Sequence, residues 1–164
     1  MTSSYVLSPF KDRNHAHASC LSTALAKAES TCVERGLRLT KLRRRVLELV
    51  WVSHLPVKAY DILDHLRRDS KGAAPPTVYR ALDFLREEGF VHKIESQNAY
   101  IGCGEPGHDN AGQFLICRDC GEVAELDDAD IVSMIASKAI TLGFVVEDQT
   151  IEVKGLCAEC RVGE

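Results

Sequence analysis

Four cysteines in two C-x-x-C pairs, Cys117/Cys120 in CRDCG and Cys157/Cys160 in CAEC, constrain this chain more than any other feature. A two-residue gap lets both thiolates of a pair point at one ion, and two such knuckles complete a tetrahedron around Zn2+ with Zn–S near ~2.3 Å. All four positions are then filled by protein, which makes the site structural rather than catalytic. A thioredoxin-like redox pair is the competing reading. It needs only one C-x-x-C, at a strand-to-helix turn, and neither pair here opens a helix convincingly. The 36 residues between the knuckles exceed a plain zinc ribbon. They read as strand, helix and strand, so the ion would pin both ends of a small α/β domain and contribute to its folding.

The rest of the chain sets the context for that cage. There is no run of eighteen apolar residues, so no transmembrane helix is expected. The opening MTSSYVLSPFKDRNHAHAS lacks the basic start and apolar stretch of a signal peptide. The expected location is cytoplasmic, where the seven cysteines are metal ligands or free thiols rather than disulfides. The net charge of -4 is unevenly spread. Residues 1–95 carry 16 Lys+Arg against 11 Asp+Glu, net +5, and residues 96–164 carry 4 against 13, net -9. A basic module that meets an anion, followed by an acidic one, is one reading; ordinary surface variation is the other.

Hydrophobic periodicity divides the chain into a mobile extension (1–19), a winged-helix domain (20–103), a hinge loop (104–112) and a small α/β domain (113–164). A first helix, roughly 20–35, places Leu21, Leu25, Ala28 and Cys32 at helical spacing and stops at Gly36. Thr40 caps a second, on which Leu42, Val46, Leu49 and Val50 share a face. A third, about 58–69, buries Ile62, Leu63 and Leu66. In the fourth, Pro76 takes the first helical position and Val78, Ala81, Leu82 and Leu85 form the apolar stripe, leaving Thr77, Tyr79, Arg80 and Asp83 opposite. The strands FVHKIE and AYIGC follow, joined by Ser96, Gln97 and Asn98. Four helices and a two-stranded wing make a winged helix-turn-helix with one extra leading helix, and the helix before the wing enters the DNA major groove. Beyond the hinge come the strands QFLIC and EVAEL, a helix near 128–142 with Ile131, Ile135, Ala139 and Leu142 as its stripe, and a last strand FVVEDQTIEVKG. The expected fold class is α+β.

GLRLTKLRRRVL, AYDIL, PPTVYRALDFLREEGFVHKIES and the cysteine quartet together resemble the ferric uptake regulator family of metal-dependent repressors, over about residues 21–160. The PPTVYRALDFL…GFVHKIES stretch is most similar to the zinc-uptake branch of that family. The iron branch typically carries a histidine cluster just before its first C-x-x-C. Here HDNAGQFLIC holds only His108, which favours zinc.

The resemblance implies a dimeric, zinc-responsive repressor of zinc uptake genes that binds double-stranded operator DNA, one or two dimers to a site. It implies two Zn2+ per subunit, one structural and one regulatory. The regulatory ligands would be His92 on the wing, Cys103 at the end of the hairpin, His108 in the following loop, and Glu125. Two imidazoles, a thiolate and a carboxylate suit zinc. Each also has a bland reading: His92 as a strand histidine, Cys103 as a small buried hydrophobe, Glu125 as a solvated strand residue. Cys20 and Cys32 are read as a tail thiol and a core-facing helix residue.

For DNA, Arg80 suits bidentate donation to guanine, Tyr79 a phosphate or thymine methyl, and Thr77 a phosphate at the helix start. Arg43 and Tyr60 are contacts by resemblance; Arg44 and Arg45 are less secure, because three consecutive arginines on a helix cannot face one way. Rival functions are a family member sensing iron or peroxide, and a zinc-stabilised protein-binding adaptor. An enzyme is not expected, and with it no small-molecule substrate: there is no Walker loop, GxSxG or HExxH.

Overall fold

The structure, a computed structural model, describes residues 5–11, 15–69, 72–106 and 112–162. It divides into two compact units, residues 11–108 and residues 1–10 with 109–164.

The first unit runs α1 (His17–Glu34), α2 (Lys41–Val50), α3 (Ala59–Asp69), α4 (Pro75–Glu87), β2 (Val91–Ile94) and β3 (Ala99–Gly102). Helix α2 starts where Thr40 accepts a hydrogen bond from the Arg43 backbone N–H at 3.3 Å, the cap its sequence position implies. Helix α4 starts at Pro75, one residue before the expected Pro76. It ends at Gly89, whose φ of 76° lets the Phe90 N–H turn back to the Leu85 carbonyl at 2.8 Å. The apolar stripes of the four helices converge on one core: Ala28 and Cys32 of α1, Val46 and Val50 of α2, Ile62 and Leu66 of α3, and Leu82 and Leu85 of α4. Burying a leucine fully contributes about 2 kcal/mol, so α4 is held mainly by its inner face and leaves the outer one in solvent.

The wing is an antiparallel pair in which His92 faces Ile101 and Ile94 faces Ala99. A short 3-10 turn, Glu95–Gln97, joins the strands, and Asn98 sits in the left-handed region at φ 47°. Val57 and Tyr100 exchange two backbone hydrogen bonds of 2.8 Å, tying the wing to the α2–α3 connection.

The second unit is a four-stranded sheet with β1 (Val6–Ser8), β4 (Gln113–Cys117), β5 (Val123–Leu126) and β6 (Ile151–Gly155), in the order β1-β5-β4-β6. Strands β4 and β6 are parallel, and the other pairs antiparallel. Helix α5 (Ala129–Thr141) forms the crossover, and α6 (Ala158–Arg161) closes the chain. Two departures from the sequence reading follow from pairing. Residues 6–8, within the stretch taken as a mobile extension, add an edge strand to β5. The final strand expected over 144–155 shortens to Ile151–Gly155, because β4 offers only the five residues Gln113 to Cys117 to pair with. Buried Gln113 locks the start of α5, donating from its amide to the Asp128 carbonyl at 2.9 Å and accepting from the Asp128 N–H at 3.3 Å. Among the described residues, no helix is long and apolar enough to cross a membrane.

A close approach inside the first unit gives a stability test. A Cβ at Gly102 would come within 2.2 Å of the indole of buried Trp51. Overpacking of a filled core costs about 1–3 kcal/mol, so Gly102→Ala should lower the urea midpoint by that equivalent. An unchanged midpoint would mean that the indole can move aside.

Candidate metal centres and nucleic-acid interface

The parallel pairing of β4 with β6 builds the first centre. Cys117 is the last residue of β4, opposite Gly155, and the Arg118 N–H donates to the Gly155 carbonyl at 2.9 Å. The two C-x-x-C turns therefore leave the sheet side by side. The Sγ atoms of Cys117, Cys120, Cys157 and Cys160 all lie within 4.8 Å of one another, with Cys120 and Cys157 3.8 Å apart. The Cys157 N–H donates to the Cys117 sulfur at 3.4 Å. Burial pushes the Cys117 thiol up, but the N–H groups of Cys157, Cys120 and Asp119 outweigh it and hold that thiol at about 6. Cys160 is pushed up to about 12, first by its hydrogen bond with Cys157 and then by burial. Cys120 is raised chiefly by burial. Four thiols in one cage cannot all ionise without a cation between them. Such a set fits a closed tetrahedral ion with no open position.

A second pair lies on the wing. The Cys103 N–H donates to the Phe90 carbonyl at 3.0 Å, which sets Cys103 beside β2. Its buried thiol and a half-buried His92 ring nitrogen lie within 4.8 Å of each other. This unites two of the four regulatory ligands expected from the sequence. Glu125, buried on β5 opposite Phe114, belongs to the other unit. His108 lies outside the described residues.

The DNA-facing candidates separate by what they already touch. Tyr79, Tyr60, Thr77 and Arg80 are exposed, the two tyrosines by 48 % and 66 %. Arg80 enters no ion pair found among the described residues. Arg43, in contrast, stacks its guanidinium 3.5 Å from the centroid of the Phe84 ring and donates to the Arg38 carbonyl at 2.7 Å. It braces α2 against α4 by a cation–π contact. Arg44 pairs with Glu29 and Glu48, and Arg45 with Asp69 at 2.7 Å and Glu48 at 3.2 Å. Arg44 and Arg45 are thus already engaged by neighbouring carboxylates.

A winged helix with an unspent polar face, joined to a sheet domain with a four-cysteine cage, defines a metal-dependent DNA-binding regulator rather than an enzyme. The ferric uptake regulator family model matches residues 34–154, and the chain belongs to that family. It is 45% identical over 139 residues to the zinc uptake regulation protein of Escherichia coli, covering 83% of this chain and 80% of that one. A solved zinc uptake regulator complexed with zinc and DNA superposes with a TM-score of 0.80 at 41% identity, over 87% of this chain and 96% of that one. Holo XcZur gives a TM-score of 0.78 at 47% identity, over 90% and 99%.

Cys117→Ser removes one of the four thiols from the cage. The expected outcome is loss of one metal equivalent and of stable structure in residues 113–162, seen as reduced metal content and a lowered melting temperature. A variant that keeps its melting temperature would remove the structural role from this cage.

Proposed function

We propose that this chain is a cytoplasmic, homodimeric repressor that binds operator DNA when zinc fills a regulatory site, and so controls zinc uptake genes. The observation that carries this reading is the close pair of His92 and Cys103 on the wing, separate from the four-cysteine cage. One imidazole and one thiolate on a DNA-binding unit make an incomplete zinc site, and Glu125 with His108 supplies the remaining donors in the same chemistry. The cage holds a structural Zn2+; the wing residues take part in the sensed one. Each subunit thus takes two ions in these roles.

Dimerisation is supported by the apolar surface of the sheet domain. Helix α5 buries none of its residues fully, and Met134, Ile140, Leu142, Phe144 and Val145 are 57 % to 85 % exposed. So many exposed apolar side chains on and just after one helix favour a protein interface there, and a second copy offers the matching face in a two-fold dimer.

On DNA, α4 occupies the major groove, with Arg80 and Tyr79 at base edges and Thr77 and Tyr60 at the backbone. Arg43 holds α4 through Phe84 and acts on DNA chiefly by keeping that helix in place. Zinc shifts the dimer toward the arrangement whose two α4 helices match adjacent major grooves. Linkage then requires zinc and operator to raise each other's affinity by the same factor.

Cys103→Ser should fold and dimerise normally but lose zinc-dependent operator binding; unaltered binding in a mobility-shift titration would refute the regulatory assignment. Arg80→Ala should weaken discrimination at one base position by about 1–3 kcal/mol, with most of the non-specific affinity retained. A footprint with unchanged sequence preference would remove α4 from base reading.

A further inference from the structure

The first unit contains another donor cluster, apart from the cage and from the wing pair. His15 precedes α1, His17 is its first residue, and Cys20 lies one turn on; His54 comes from the turn after α2. One donor atom from each lies within 4.8 Å of the other three. His15 Nε2 is 2.7 Å from His54 Nε2, and His17 Nδ1 is 3.0 Å from the same atom. His17 Nε2 sits 2.6 Å from the Trp51 carbonyl. A carbonyl only accepts, so Nε2 carries the hydrogen, and the tautomer with a single ring hydrogen turns the Nδ1 lone pair toward His54. Metal-bound histidines are oriented in this way, the far ring nitrogen donating to a backbone carbonyl.

Hydrogen bonds alone serve this cluster poorly. His54 Nε2 holds either one hydrogen or one lone pair, yet it faces two other imidazole nitrogens. If it bears the lone pair, it confronts that of His17 Nδ1. If it bears the hydrogen, one hydrogen must be shared between two acceptors. A cation at the centre accepts every lone pair at once. Around Zn2+ with Zn–N of about 2.0–2.1 Å, tetrahedral nitrogens stand roughly 3.3 Å apart, so the His15–His54 pair, now at 2.7 Å, and the His17–His54 pair, now at 3.0 Å, need open by well under an ångström.

We infer that His15, His17, His54 and Cys20 form a third metal site, a closed three-nitrogen, one-sulfur set for Zn2+ or a similar divalent transition ion. With four protein ligands it is a structural site. It staples the segment ahead of α1 to the α2–α3 turn. The staple bears on Trp51, whose carbonyl orients His17, whose ring meets His54 edge-on at 5.9 Å, and whose indole packs on Gly102 beside Cys103. The ion therefore also steadies the residue under the wing. Cys20, read from sequence as a tail thiol, becomes a ligand.

The test uses tag-free, full-length protein, stripped of metal under reducing conditions and titrated with Co2+ and then Zn2+, with bound ions counted by native mass spectrometry. Wild type should hold one equivalent more than either His15→Ala or His54→Ala. Cys20→Ser should bind that ion at least tenfold more weakly and lose one thiolate's share of the Co2+ charge-transfer band. Because His54→Ala disturbs the contact with Trp51, His15→Ala serves as the variant that leaves that packing intact. Cys103→Ser should retain this equivalent, so failure here is distinct from failure of the regulatory reading. Equal metal content in wild type and His15→Ala, or a Co2+ spectrum unaltered in Cys20→Ser, would overturn the site.

Discussion

The parallel register between Gln113–Cys117 and Ile151–Gly155 is the constraint on which the sheet domain rests. A parallel pair cannot be closed by a tight turn; it needs a crossover, and α5 supplies it. The same register delivers Cys117 and Gly155 side by side and so brings together two C-x-x-C turns separated by 36 residues. Sheet and cage are therefore one device. The hydrogen bonds place the thiols, and an ion bound among the thiols would hold the strand ends that the hydrogen bonds align. The domain has few other means of stability, since neither of its helices, α5 and α6, buries a residue fully within one chain.

The winged-helix unit solves a different problem, that of holding α4 rigidly while leaving its outer face free. Four apolar residues of α4 enter the core, and Arg43 stacks on Phe84 from the side. Neighbouring carboxylates occupy Arg44 and Arg45, so the basic run RRR contributes bracing more than free charge. Thr77, Tyr79 and Arg80 are among the residues that stay exposed on the helix's outer face. The positive balance of residues 1–95 is thus partly internal.

Trp51 links three parts of this unit. It ends α2, receives the imidazole of His17 on its carbonyl, and packs its ring against Gly102 at the end of the wing. Only a glycine leaves room for that ring. The residue next in sequence is Cys103, so the position of a wing thiol depends on a packing contact with the turn after α2. Coupling of this sort runs through close-packed side chains, which transmit small shifts because they leave no slack.

Helix stripes, the Thr40 cap, the Gly89 stop and the C-x-x-C spacing were all legible in the linear chain, because each is a short-range pattern whose physical cause lies within a few residues. They sufficed for the winged helix, the four-cysteine cage and the family. The larger departures involve partners distant in sequence. Whether residues 6–8 are strand depends on the free edge of β5, and the length of β6 depends on that of β4. The spacing of His15, His17 and Cys20 was visible, but His54 stands 37 residues after His17, and only the packing of α1 against α2 brings it to them. Likewise nothing in RRR distinguishes an arginine stacked on Phe84 from one facing solvent. Local periodicity determined which elements form; long-range pairing and side-chain packing decided which donors meet and which charges remain free.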